Sequence, residues 1–512
     1  MTTSTDEVRS YLSDASNLAG GRAERVVFPE TAQEVAEVLA AATRDRVPVT
    51  VSGAGTGIVG GRVPFGGIVL ATDRLNRIVE IVKGERGGGR ATVEAGVTLA
   101  DFRRAVESRG LLYPPDPTEL SCYVGGTVAT NASGARTFKY GPTRAYVRRL
   151  KLALATGDIV HLRRGEARAD GQGNLRLPLA DGRGINLKLP TYRMPQTRKH
   201  AAGYFIEPRV DAVDLFVGSE GTLGVVCEVE AALLPKPENF LAGVVFFDAE
   251  ENLLAFVRSA RDASLATRAA ATGADEAAEA AEPGSQIDAR ALEYFDREAL
   301  NFLRGKYPEI PAGARGAIFF EQETADATEE GLTTAWLALM EECGALVDES
   351  WFATAERDQA RLREFRHALP VLVNEWIARR GQRKVSTDMA VPDEHFPAML
   401  AFYREALRES NLGYVIFGHI GDNHVHVNVL PRDDAEAARA RSLYGRFIRR
   451  AVSYGGTISA EHGVGKIKRD YLRELYGEEH LREMAALKRA LDPARILGRG
   501  NMFDEKLLAV SD

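Results

Sequence analysis

Four of the nine histidines fall between His419 and His462, a density that suits metal binding or proton transfer. In Gly418-His419-Ile420-Gly421-Asp422-Asn423-His424-Val425-His426-Val427-Asn428, His424, His426 and Asn428 alternate with valines, which predicts a strand over 424–430 with one polar face. His419 precedes a turn at Gly421 and can fold back towards that face, so that two imidazoles meet one ion. Further on, Thr457-Ile458-Ser459-Ala460-Glu461-His462-Gly463-Val464-Gly465 adds a carboxylate and a base. Glu461 and His462 can share a site only where the backbone turns, which Gly463 allows. At this level a metal centre and a set of core histidines satisfied by backbone partners are both open readings.

Three glycine-rich segments offer a different chemistry. Seven glycines lie within the sixteen residues Ser52 to Gly67, and Ser52-Gly53-Ala54-Gly55-Thr56-Gly57 presents closely spaced amides, the feature a loop needs to hold a pyrophosphate. The ending of a Walker loop is missing and no Rossmann-type helix follows, so neither nucleotide fingerprint fits. The second segment runs from Tyr123 to Gly134 and continues to Tyr140-Gly141-Pro142, and the third is Gly218-Ser219-Glu220-Gly221-Thr222-Leu223-Gly224.

The surrounding elements must position these groups. Periodicity predicts a helix over 32–42, a strand over 47–51 leading into the first glycine loop, strands over 67–71 and 91–96, a helix over 99–109, and a strand from Val225 to Leu233 after the third segment. Pro235 and Pro237 suggest a boundary between a first domain, 1–235, and a second, 236–455, with 456–512 as a C-terminal segment completing the active site and returning to the first domain. A helix over 354–377 and a strand over 414–417 belong to the second. The alanine-rich stretch Ala269 to Ala281 is expected to be an exposed insertion without chemistry. Strands and helices in this order indicate an α+β or α/β architecture.

At 512 residues the chain is long enough for several domains of roughly 150 residues each. Its 45% apolar and 27% charged composition is that of a soluble globular protein, and its net charge of −7 supplies no basic field for a nucleic acid. The first ten residues lack an apolar core, so a cytoplasmic location is expected. Three scattered cysteines exclude a four-cysteine iron–sulfur cluster and predict small buried side chains.

The glycine segments, together with Tyr11-Leu12-Ser13-Asp14-Ala15-Ser16 and Pro114-Pro115-Asp116-Pro117, occur in the order seen in vanillyl-alcohol-oxidase-type FAD flavoproteins, which the sequence resembles over nearly its whole length. The resemblance implies an α+β fold: a FAD-binding domain followed by a substrate domain with an antiparallel sheet and helices. It also implies that FAD contacts Ser52, Gly53, Ala54, Gly55, Thr56, Gly57, Gly60, Pro115, Asp116, Gly125, Gly126, Asn131, Ser133, Gly134, Gly141, Glu220, Gly224 and Val225. No histidine precedes His161, so no first-loop histidine can tether the flavin and non-covalent FAD is expected. Gly418-His419-Ile420-Gly421-Asp422 with His426 and Glu461-His462-Gly463 is similar to the D-2-hydroxy-acid dehydrogenase branch, which includes D-lactate dehydrogenases, glycolate oxidase flavin subunits and D-2-hydroxyglutarate dehydrogenases. Carried over by position, His419, His426 and Glu461 bind a divalent metal (zinc, manganese or iron), and His462 is the base. The resemblance likewise implies that Arg366 is the carboxylate-binding arginine, with Lys384 and Asn428 expected beside it in the catalytic set. His424 departs from the branch's pattern and is either an outer partner or a substitute ligand. Ser386 stands where the hydroxyglutarate enzymes tend to carry lysine, which tilts the expectation towards a small D-lactate-like acid. The non-redox alkylglycerone-phosphate synthases and a non-catalytic flavin-carrying subunit are rivals, disfavoured by the histidine cluster. Electrons must pass to an external acceptor or acceptor protein. That acceptor, peripheral membrane association and the oligomeric state are left open.

Overall fold

The computed structural model describes residues 5–85, 87–271 and 286–509. Helix Ala32–Asp45 is started by Thr31, whose Oγ1 accepts from the Glu34 amide at 3.1 Å, and it buries Val35, Ala36, Leu39 and Ala42 at the helical period. It leads into a small parallel sheet ordered Arg25–Val27, Ile68–Ala71, Val49–Ser52. The first glycine loop is the excursion between its last two strands.

Beside it lies an antiparallel sheet ordered Ile78–Lys83, Gly89–Glu94, Val225–Pro235, Val147–Ala153, Ile159–Arg163, with Leu111–Leu112 pairing the end of Val225–Pro235. The long central strand carries the third glycine segment at its head. That segment is tied to the second directly, because the Gly218 amide donates to the Val128 carbonyl at 2.9 Å and the Glu220 amide to the Ala129 carbonyl at 2.8 Å.

A seven-stranded sheet follows, ordered Trp351–Ala353, Asn239–Phe247, Gly316–Thr324, Ala289–Asp296, Tyr414–Gly418, His426–Val429, Val385–Ser386, antiparallel at every pairing. Strand alternation splits its core in two. Ile318 and Phe320 pack with Phe256 and Trp336 from helices Glu250–Ala271 and Glu329–Glu342, while Ala317 and Phe319 pack with Phe365 and Leu369 from helix Glu356–Ala378. After helix Arg469–Leu491 the chain returns to the parallel sheet, where Val49 exchanges backbone hydrogen bonds with Ile496 and Gly498.

The expected α+β architecture is what the chain adopts, and the predicted elements recur with ends shifted by a few residues. One shift matters for the site: the strand predicted over 424–430 spans only His426–Val429, because residues 420–422 form a tight helical turn and Asn423 takes a left-handed conformation just before it. Cys122 and Cys227 are buried and Cys343 is partly so, as expected. Of the alanine-rich stretch, Ala269–Ala271 end a helix and the remainder lies outside the described residues. Among the described residues, no helix is long and apolar enough to cross a membrane.

Candidate active site

One cavity collects the three glycine segments, and Glu461 and His462 line it with them. Of the sequence-predicted cofactor residues, Gly53, Ala54, Gly55, Thr56, Gly57, Gly125, Gly126, Ser133, Glu220, Gly224 and Val225 line it. The amides of Ala54, Gly55, Thr56 and Gly57 have no acceptor among the described residues, and the buried Ser133 hydroxyl has no partner either. Unused donors on a concave wall fit a ligand rich in phosphate and carbonyl oxygens, as FAD is. Arg62, which sequence reasoning passed over, lies on this wall and braces the loop through Ser52 Oγ at 3.1 Å and the Gly53 carbonyl at 2.6 Å.

The remaining predicted cofactor residues stand behind the wall. Ser52 is buried beneath Arg62. Gly60 accepts from Lys466 Nζ, and Pro115 is buried. Asp116 pairs with Arg103 at 2.7 Å and Arg136 at 3.4 Å and faces a different cavity. Gly134 packs on the Asp116 carbonyl so closely that a Cβ would sit 1.8 Å from it. Asn131 ends helix Val124–Thr130 and receives the Arg144 amide, and Gly141 ends helix Thr137–Tyr140. These seven shape the cavity; the observed surface does not include them.

The histidines converge beside the cavity. His419 sits at the end of strand Tyr414–Gly418, with Nδ1 2.6 Å from Glu293 Oε1 and Nε2 3.4 Å from Glu461 Oε2. In the neighbouring strand, His426 gives Nδ1 to the Thr387 carbonyl at 3.0 Å and turns Nε2 to Glu461 Oε1 at 3.2 Å. Anchoring the far nitrogen of each ring on a carboxylate or carbonyl leaves the near nitrogen free, which is how metal-binding histidines are held. His424 enters the same cluster although it precedes the strand: donor atoms of His419, His424, His426 and Glu461 all lie within 4.8 Å of one another. The donor set therefore fits a divalent ion. Burial opposes a charge on Glu461, but His419, then Lys199 and His424, hold its carboxyl well below the usual range. Burial likewise disfavours an imidazolium at His419, yet Glu293 and, after it, Glu461 push this histidine up to about 9. His424, desolvated beside His426, is pushed down to about 3.

His462 is steered by a second carboxylate. Its Nδ1 lies 3.2 Å from Asp388 Oδ2, and its own amide donates to the same oxygen at 3.1 Å. Asp388 is buried and also receives Ser459 Oγ at 2.6 Å, Lys468 Nζ at 2.6 Å and the Glu461 amide at 3.2 Å. Burial raises its pKa, but His462 and Lys468 outweigh that and hold it well below the carboxylate range. The turn required for Glu461 and His462 to share a site occurs at Gly463, whose φ is +81° and whose Cβ would meet Glu220 Oε1 at 2.9 Å. Glu220 accepts from the Val464 and Gly465 amides, both at 2.7 Å, so its carboxylate clamps this turn to the glycine segments.

The other predicted catalytic residues are less closely placed. Arg366 puts Nε on Glu293 Oε2 at 3.0 Å and is thus one residue removed from His419; it lines the cavity that Asp116 faces, with Arg103, Arg136, Arg363 and His367. Asn428 is buried with neither amide atom hydrogen-bonded, and it pairs across the sheet with Ser386. Lys384, two residues before Ser386, is half-buried with no acidic partner among the described residues, and burial lowers its pKa. Sequence reasoning missed three charged residues here. Glu293 lies in strand Ala289–Asp296 beside Arg290 and Asp296, and Asp388 follows strand Val385–Ser386, so neither stands out as a site residue in the sequence. Lys199, in the basic triplet Arg198-Lys199-His200, reads as surface, yet it is fully buried and reaches the Gly134 carbonyl at 2.7 Å and Glu461 at 3.3 Å.

Residues 23–163 match the FAD binding domain family, and residues 236–502, more than half the chain, match the family described as FAD linked oxidases, C-terminal domain. The chain belongs to the FAD-linked oxidases. It is an oxidoreductase that binds FAD, as the resemblance carried by its glycine segments implies. Among curated relatives of this FAD-linked oxidase, the glycolate oxidase subunit GlcD of Bacillus subtilis is 32% identical, covering 96% of this chain and 92% of that one. A D-lactate dehydrogenase of Anaerostipes hadrus is 29% identical (94% and 90%), and a D-2-hydroxyglutarate dehydrogenase of Xanthomonas citri pv. viticola is 28% identical (94% and 89%). A solved structure of alkyldihydroxyacetonephosphate synthase superposes with a TM-score of 0.61 at 14% identity, covering 92% of this chain and 75% of that one, a likeness of fold.

Proposed function

We propose that this FAD-linked oxidase oxidises a small D-2-hydroxy acid, D-lactate or a close analogue, to the 2-oxo acid and passes the electrons to an external acceptor. Oxidation of 2-hydroxy acids is the activity its relatives share by name. The observation that carries the reading is the single cavity in which the FAD-family glycine segments meet Glu461 and His462.

FAD, when bound, supplies a two-electron acceptor, and a divalent ion held by His419, His426 and Glu461 supplies Lewis acidity at the substrate hydroxyl. The substrate loses a hydride from its carbinol carbon and a proton from its hydroxyl. His462 takes that proton at Nε2, because Nδ1 is held against Asp388, the arrangement that orients an imidazole base. Asp388 also stabilises the imidazolium so formed. Arg366 and Lys384 provide positive charge for the substrate carboxylate, and Asn428 offers an unused amide on the same sheet face as His426. Burial beneath the cavity excludes water from the ligand cluster. Glycolate is the second reading, favoured by the 32% identity to GlcD.

A panel of D- and L-2-hydroxy acids with an artificial dye acceptor tests the proposal. Dye reduction by D-lactate or glycolate supports it. Reduction by L-acids alone, or by no 2-hydroxy acid, overturns it.

A further inference from the structure

We propose that His424 is a third imidazole ligand of the divalent ion, so that this chain presents three histidines and one carboxylate to the metal. The inference rests on the metal reading above and deepens it.

His424 is completely buried, and neither of its ring nitrogens makes a hydrogen bond of good geometry. Nε2 lies 3.2 Å from Asp388 Oδ1, while Nδ1 points to the ligand cluster and lies 3.9 Å from Glu461 Oε2. A neutral imidazole with its Nε2–H facing Asp388 turns the Nδ1 lone pair towards a carboxylate. That is repulsive unless a cation lies between them. Lys199 lies within 3.3 Å of Glu461, but no donor reaches Nδ1 of His424. A core histidine satisfied by its neighbours would not be left in this state.

The spacing agrees. Ligand arms of about 2.0–2.1 Å place tetrahedral donors about 3.3 Å apart. From Glu461 Oε2 the separations are 3.4 Å to His419 and 3.9 Å to His424, His426 lies 3.2 Å from Oε1, and one donor atom from each of the four residues falls within 4.8 Å of the others. His419 and His426 have an outer anchor on the far nitrogen, Glu293 and the Thr387 carbonyl, and the far nitrogen of His424 faces Asp388. Three nitrogens and one carboxylate favour a borderline transition ion over calcium or magnesium. With four protein donors, a hydroxy acid can join only by raising the coordination above four.

The test uses the full-length FAD-loaded protein, stripped of metal and titrated with Zn²⁺ and Co²⁺ against a competing chelator. Wild type, His424→Asn, His424→Ala and His426→Ala are compared. Both His424 variants are expected to bind the ion at least about tenfold more weakly and to shift the visible bands of the Co²⁺ form as a nitrogen donor is lost. X-ray absorption on the wild-type Zn²⁺ form, which needs no variant to fold, is expected to count three imidazoles. Wild type that binds neither ion sinks the metal reading and this inference with it. Unchanged affinity and spectrum in both His424 variants, with binding weakened in His426→Ala, or a count of two imidazoles, overturns this inference alone.

Discussion

His462 is the residue on which turnover should depend most, because its ring is partly open to the cavity and its far nitrogen is fixed by Asp388. His462→Ala is expected to slow substrate-driven flavin reduction by about 10² to 10⁴, the usual contribution of a positioned base, with FAD and metal content unchanged. Rapid-mixing measurement of flavin bleaching checks this; a wild-type rate across pH 6 to 9 would place the base elsewhere. The shared face of His426 and Asn428 was legible in the sequence because a period of two assigns side chains to one face without any tertiary knowledge, whereas His424, which precedes the strand, joins the cluster outside that alternation. Glu293 was not legible, since its role depends on the pairing of strand Ala289–Asp296 with Tyr414–Gly418, which brings it to His419 from 126 positions away. Pattern suggested Arg366 as a site residue; its observed contact is with Glu293, which only the packing of helix Glu356–Ala378 on the sheet reveals.

Strand Ala289–Asp296 ends in a group that makes stability depend on pH. Asp296 caps helix Arg297–Leu303 by accepting the Ala299 amide at 2.8 Å, and burial pushes its carboxyl up to about 7. A folded-state pKa raised above the unfolded value means the fold prefers the protonated form. Its contribution is fully present below about pH 4 and is lost as the pH rises through 7, a change of at most about 4 kcal/mol. Asp296→Asn keeps the cap acceptor without the charge. Its urea midpoint is therefore expected to gain on wild type progressively between pH 5 and 8, and a constant difference over that range contradicts the prediction. Element types were legible from periodicity, as in helix Ala32–Asp45. The early end of the strand predicted from His424 was hidden, because the helical turn at 420–422 and left-handed Asn423 leave no mark on the alternation.

The whole chain closes on itself through its C-terminal segment. Buried Lys488 donates to the Thr222 and Leu497 carbonyls and to Asp492, all at 2.8 Å, joining helix Arg469–Leu491 to the third glycine segment. Lys488→Ala removes the cation beside the buried Asp492 carboxylate, leaving it only the Ile496 and Leu497 amides, and is expected to cost about 3–5 kcal/mol and to weaken flavin retention together with stability, seen as parallel losses in melting temperature and bound flavin. Loss of neither contradicts that tie. Because no histidine precedes His161, acid precipitation is expected to release all flavin into the supernatant, and flavin in the pellet would show a covalent link. The order of the glycine segments was readable from the sequence, but their meeting in one cavity with Glu461 and His462 follows from sheet topology. Single-turnover reduction of the bound flavin by D-lactate or glycolate, followed in metal-loaded and metal-stripped protein, tests most directly that these parts form one hydroxy-acid-oxidising site. The flavin should bleach with either acid, and much faster with metal than without. Flavin that stays oxidised with both acids, or bleaches equally fast without metal, would contradict it.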